Sequence, residues 1–106
     1  MKLDLRDEYK LKEYMPNMKD IKNMSACFYA FSDDTRLKII ILLTMRALCV
    51  NEITKVLSVH QSTVSHQLKL LKSLNIVECD RNGKNIIYYI KNKNVENILN
   101  AVVEYI

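Results

Sequence analysis

The chain's single glycine, Gly83, follows Asn82 in the middle of "IVECDRNGKNIIYYI". Asn-Gly is the strongest short hairpin signal, because a type I′ turn needs positive φ at both central residues. The runs on either side are β-prone, so the spacing predicts a hairpin over residues 76–90 that turns at Asn82-Gly83. Elsewhere the apolar residues recur at helical spacing. The chain therefore reads as mostly α with a small β-hairpin.

The one proline, Pro16, separates a charged helical segment at about 4–14 from a second helix starting near Asn17. Ile21, Met24, Phe28 and Phe31 line one face of that second helix. "SDDTRLKIIILLTM" opens with Ser32 or Asp33 as N-cap and acids in the first turn. Its apolar residues nearly encircle it, which marks a buried central helix. A short helix over 50–57 turns Ile53, Val56 and Leu57 inward, and another follows over 61–74. After the hairpin, Val95, Ile98, Leu99, Val102, Val103 and Ile106 form a wide apolar stripe on a helix over 94–106. With 106 residues and no linker or repeat, residues 1–106 read as one domain.

The helix over 61–74 is the unusual one. Divided into 1–32, 33–58, 59–75, 76–91 and 92–106, the chain has an acid in every part except 59–75, and the net charge of +4 is otherwise spread thinly. Val64, Leu68 and Leu71 fall within about 40° of one another at about 100° per residue, which makes a buried stripe. Ser62, Ser65, His66 and Lys69 fall on the opposite side, with their own i, i+3, i+4, i+7 spacing. Short hydroxyls let a helix sit deep in a groove, while His66 and Lys69 reach toward base edges or phosphate. Gln61, Ser62 and Thr63 lie in the first turn, where free N–H groups and the positive dipole end face an anion. The bland alternative is a solvated face on an ordinary small helical domain. The order of elements weighs against it: a short helix, a tight turn, this helix, then a hairpin with Arg81 and Lys84 beside its tip. That is a winged helix-turn-helix, with residues 50–74 as the helix-turn-helix and 76–90 as the wing.

These residues also resemble a family. "FSDDTRLKIIILL", "ALCVNEITKVL", "QSTVSHQLKLLKSLNIV" and "RNGKNIIYYI" are similar to segments of the ArsR/SmtB winged-helix repressors, over about residues 18–103. The resemblance implies a homodimer built by the first and last helices. It also implies binding to an inverted repeat, with release by a metal, metalloid or redox signal. By matching position, Gln61, Ser62, Thr63, Ser65 and His66 would contact bases and phosphates, and Arg81 and Lys84 would be wing contacts.

The departures from the family pattern bear on sensing. Members that sense soft metals carry Cys-x-Cys where this chain has Cys49, Val50 and Asn51, so one thiolate is gone. Members that sense zinc in the last helix begin it with aspartate and histidine. Here the matching residues are Asn92 and Asn94, with no later histidine. Neither ligand set is intact, so no metal site and no cofactor are expected. The turn glycine is replaced by Ser58, which tolerates positive φ poorly, and the serine N-cap by the weaker His60. Local adjustment with the fold retained is the expectation.

Cys27 and Cys49 are candidates for a thiol sensor, since family geometry brings these positions within reach across a dimer. The alternative is that Cys27, Cys49 and Cys79 are small buried hydrophobes. Phe28, Val95, Leu99, Val102, Val103 and Ile106 are the candidate dimer interface, because the C-terminal stripe exceeds what a peripheral helix needs. Arg36 reads as structural, paired with a nearby carboxylate. Tyr88 and Tyr89 divide between the core and the base of the wing. His60 and His66 do not share a face and so do not chelate one metal.

The expectation is a homodimeric, sequence-specific DNA-binding transcriptional regulator, a repressor, acting on double-stranded DNA with or without a small inducer. The alternative is a winged-helix module that docks a protein and leaves DNA alone; DNA binding lost on Lys69→Ala or His66→Ala would exclude it. No paired carboxylates, nucleophile elbow or glycine-rich phosphate loop is visible, so no enzyme is expected. The charged N-terminus lacks an apolar signal region, and "IIILL" at 39–43 is too short to span a bilayer. With an odd number of scattered cysteines, the expected location is cytoplasmic.

Overall fold

The computed structural model describes residues 7–106. Six helices and three short strands follow in the order α1 (Glu8–Tyr14), α2 (Met18–Ala30), α3 (Asp34–Met45), β1 (Leu48–Cys49), α4 (Val50–Leu57), α5 (Gln61–Ser73), β2 (Val77–Asn82), β3 (Asn85–Ile90) and α6 (Asn94–Tyr105). The expected first helix began near residue 4, and its start lies outside the described residues.

Polar caps set the helix starts. Asp7 Oδ1 accepts from the Lys10 N–H, Asn17 Oδ1 from the Asp20 N–H and Asp33 Oδ2 from the Arg36 N–H. Each satisfies an N–H that has no partner inside its helix. α3 runs through the middle and buries Ile39, Ile40 and Leu43. Around it pack Ile53 of α4, Val64, Leu68 and Leu71 of α5, Leu48, Val77 and Val95. The 61–74 helix ends at Ser73 by a Schellman motif: the Ile76 N–H reaches the Leu71 carbonyl and the Asn75 N–H the Lys72 carbonyl.

The hairpin forms where the sequence places it, but its turn sits one residue later. Asn82 pairs with Asn85, so Gly83 and Lys84 are the central residues. Gly83 has φ +64° and Asn82 stays in the strand. Glycine at the first central position is the demand of a II′-type turn, and that demand fixes the register.

A third strand was not foreseen. Leu48 and Cys49 pair antiparallel with Tyr88 and Ile87, giving the order β1-β3-β2. Two residues are too few to show a period of two.

The outer helices are less embedded. α1, α2 and α6 lie apart from the centre, and the chain extends 59 Å along its longest axis. Its radius of gyration, 17.5 Å, exceeds the roughly 13 Å of a compact domain this size. Met18, Met24 and Phe28 of α2 and Val102, Val103 and Ile106 around the end of α6 are exposed. Val95 is different: it is 2% exposed and belongs to this chain's own core, so it has no surface left for a partner. Leu99 is half-buried against the same core. Among the described residues no helix is long and apolar enough to cross a membrane.

Candidate nucleic-acid interface

α4 and α5 meet across the three-residue turn Ser58–His60. Ser58 adopts the left-handed conformation, φ 53° and ψ 45°. The backbone thus keeps the turn that glycine would make easily, and the strain falls on one residue. His60 stands at the N-cap of α5 without a side-chain cap bond, and no acid occupies the first turn. The positive end of this helix therefore meets no carboxylate of its own.

Val64, Leu68 and Leu71 are fully buried, so the opposite side of α5 faces away from the core. Gln61, Ser62, His66 and Lys69 are exposed, while Thr63 and Ser65 are half-buried at the margin. The residues singled out on α5 thus form one outward surface. Arg81 and Lys84 are exposed at the far end of the wing, Lys84 within the turn itself. Gln61 and Lys84 come together: with Cys49, Val50, Asn51, Asn85 and Ile86 they line one hollow of about 220 Å³.

Among the described residues, Lys69, Arg81 and Lys84 take part in no ion pair. Lys72 contrasts with them. Its Nζ lies 3.6 Å from Glu78 Oε1 and 3.3 Å from Cys79 Sγ. The Cys79 contact and then the Glu78 charge hold its pKa above the usual lysine value. Lys72 is thus engaged at the wing base, whereas Lys69, three residues earlier, is available.

Arg36 departs from expectation. It is 5% exposed, but no carboxylate pairs with it among the described residues. Nε donates to the Ala30 carbonyl at 3.2 Å and Nη2 to the Tyr29 carbonyl at 2.9 Å. Nη1 donates to Gln67 Oε1 at 3.2 Å, and the guanidinium lies 4.7 Å from the centre of the Tyr29 ring. Gln67 was missed, because 31 residues separate it from Arg36. Its position beside the apolar stripe, neither on it nor on the polar face, was the one available hint.

The cysteines lie apart. Cys27 lines an apolar groove of about 330 Å³ with Phe28, Phe31, Ile98, Val102 and Tyr105. Cys49 lines the hollow beneath the wing, and the two cavities share no residue. Cys49 also begins α4, where its N–H donates to Glu52 Oε1 at 3.0 Å. That bond, followed by the charges of Arg46 and Lys55, holds the Glu52 carboxyl below its ordinary pKa. Tyr88 packs on the core and Tyr89 lies outside it, and burial raises both phenols.

The donor chemistry does not suit a metal of the kind the resemblance implies. Cys49 has no second thiolate beside it, and Asn92 and Asn94 offer neutral amides. Among the described residues no three His, Cys, Asp or Glu side chains come together.

A helix-turn-helix with an uncapped, acid-free second helix, flanked by a wing with two unpaired cations, defines a winged helix-turn-helix protein of the nucleic-acid-binding kind. Residues 33–78 match the family of bacterial regulatory proteins described as the arsR family. The chain is 36% identical to an uncharacterized HTH-type transcriptional regulator of Methanocaldococcus jannaschii, over 82% of this chain and 99% of that protein. It is 32% identical to a transcriptional repressor SmtB homolog of Synechocystis, over 80% of this chain. The match spans 64% of that relative's length. The fold of this chain is similar to that of a solved winged helix-turn-helix DNA-binding domain from Mycobacterium bovis, itself described as homodimeric, with TM-score 0.76 and 24% identity over 87% of each chain. The chain belongs to the ArsR family of transcriptional regulators.

Proposed function

We propose that this protein is a cytoplasmic, homodimeric repressor that binds an inverted-repeat operator through α5 and the wing. The observation that carries this is the outward surface of α5: four exposed hydrogen-bonding side chains above a fully buried stripe, with no acid in the segment. Gln61, Ser62, Thr63, Ser65 and His66 would read bases and hold phosphate, Lys69 would add charge, and Arg81 and Lys84 would grip the flanking backbone. Two such helices, set about one helical turn apart by a dimer, would enter successive major grooves.

The exposed apolar residues of α2 and α6 support the dimer. Phe28 is 70% exposed, Val103 68% and Ile106 91%, which is unusual for side chains of this kind in a lone subunit. With both family ligand sets broken, response to metal would be lost or altered, which leaves Cys27 and Cys49 as the candidate sensing groups. An inducer, if it acts, must prefer one of two dimer orientations.

The test is fluorescence anisotropy of the purified protein on the duplex upstream of its own gene, against a scrambled duplex, over a salt series. Preferential binding that weakens as salt rises supports the repressor. Equal, weak binding to both duplexes refutes it.

A further inference from the structure

We propose that Gln67 is a positioning residue of the DNA-reading helix, holding α5 at a fixed roll relative to α2 through the buried Arg36. The proposal rests on α5 being the helix that meets DNA.

An apolar stripe attracts without direction, so Val64, Leu68 and Leu71 keep α5 on the core but fix its roll only loosely. Roll matters here. A side-chain atom about 5–6 Å from the helix axis moves by about 1 Å for each 10° of roll. That exceeds the window of roughly 0.5 Å within which a hydrogen bond to a base stays good. A directional contact off the stripe is needed, and Gln67 stands about 60° to one side of Val64, away from Ser62, Ser65 and Lys69.

What Gln67 touches is itself immobile. Two of the three Arg36 guanidinium nitrogens donate to the last carbonyls of α2, at Tyr29 and Ala30. A guanidinium is planar, so fixing two donors aims the third, and that third donor meets Gln67 Oε1. The other end of the Gln67 amide, Nε2, lies 3.5 Å from Asp33 Oδ2, the carboxylate that caps α3. Gln67 therefore senses the junction of α2 and α3 from both ends of one amide. α2 is also the helix that carries the uncovered Met24 and Phe28. The node ties the reading helix to a helix with exposed apolar side chains. A cation buried without a carboxylate is costly, and its aimed third donor gives that cost a purpose.

Gln67→Met has nearly the same shape but can form neither bond; Gln67→Glu keeps an acceptor for Arg36. On the upstream duplex Gln67→Met should bind about tenfold more weakly, the size of one lost charged hydrogen bond. The slope of log affinity against log salt should not change, because no phosphate contact is removed. Gln67→Glu should fall between the parent and Gln67→Met, because it keeps the Arg36 bond but sets a carboxylate against Asp33, and thermal melting should show all three proteins folded. Parent-like binding by Gln67→Met overturns the proposal, as does equal loss in Gln67→Glu or a slope reduced by about one. A second measurement needs no DNA. In ¹H–¹⁵N spectra Gln67→Met should shift the Tyr29 and Ala30 amides as well as those of α5. If the parent does not bind the duplex, the repressor proposal falls, and the spectra still decide whether Gln67 and α2 are joined. Unmoved Tyr29 and Ala30 amides would overturn that link.

Discussion

Ser58 and Asn75 bracket α5 as the two non-glycine residues with positive φ among the described residues, at 53° and 61°. One makes the turn into α5 and the other closes it. Asparagine visits this region with modest strain, while serine does so less readily. Ser58→Gly should therefore stabilise the protein by about 0.5–1 kcal/mol, read as a higher urea midpoint with an unchanged slope. Asn75→Val should cost at least as much, because a β-branched residue is poorly tolerated at positive φ.

The contrast between Lys69 and Lys72 makes a second prediction. Lys69→Ala should weaken DNA binding across all sequences and lower the salt slope by about one. Lys72→Ala removes a lysine already engaged with Glu78 and Cys79 and should alter the slope less. Anisotropy over a salt series separates them, and equal slopes would show that both lysines meet phosphate.

Arg36 holds two carbonyls and one amide from a site 5% exposed. Arg36→Leu should destabilise the fold by about 3 kcal/mol, since several charge-assisted bonds go and buried carbonyls lose their donor. Urea unfolding gives the value. A loss under 1 kcal/mol would mean that water takes over these groups.

Acid stability should depend on Glu52. Its carboxyl is held below the ordinary value of 4.5, chiefly by the Cys49 N–H. In the unfolded chain it protonates first as pH falls, so the contribution is complete above pH 4.5 and fades as pH drops through the lower folded value. Glu52→Gln should remove that contribution at neutral pH and flatten that part of the acid limb, so that the variant and the parent converge at low pH. A curve of unfolding free energy against pH decides it.

The exposed ends of α2 and α6 give the last prediction. Phe28→Glu or Val103→Glu should convert a dimer to monomers in sedimentation, with helical content unchanged. Val95→Ala should instead lower the melting temperature without altering assembly. If Val103→Glu leaves the mass unchanged, the partner surface lies elsewhere.

Most of this fold is visible in the order of residues. Helical spacing gives α2 to α6, and one glycine gives the hairpin. What escapes is what spacing cannot carry. The turn slips by one residue because Gly83 serves a first central position as readily as a second. β1 is too short to show alternation. Periodicity shows that Val95 and Val102 share a face, but not that the first half of that face is covered by the chain's own core. Arg36 invites a carboxylate by charge, and its partners turn out to be carbonyls and a distant glutamine. The polar surface of α5 needs only the 100° step, which is why its outward residues are legible in the sequence.

β1 bears on how the wing meets its target. Because Leu48 and Cys49 pair with Tyr88 and Ile87, the hairpin is stitched to the segment that opens α4. A free hairpin would forfeit its swing on docking, and that entropy would be subtracted from affinity. Here the freedom is given up during folding, so wing and α4–α5 should arrive as one rigid body, with little ordering penalty and no slow tightening after the first encounter.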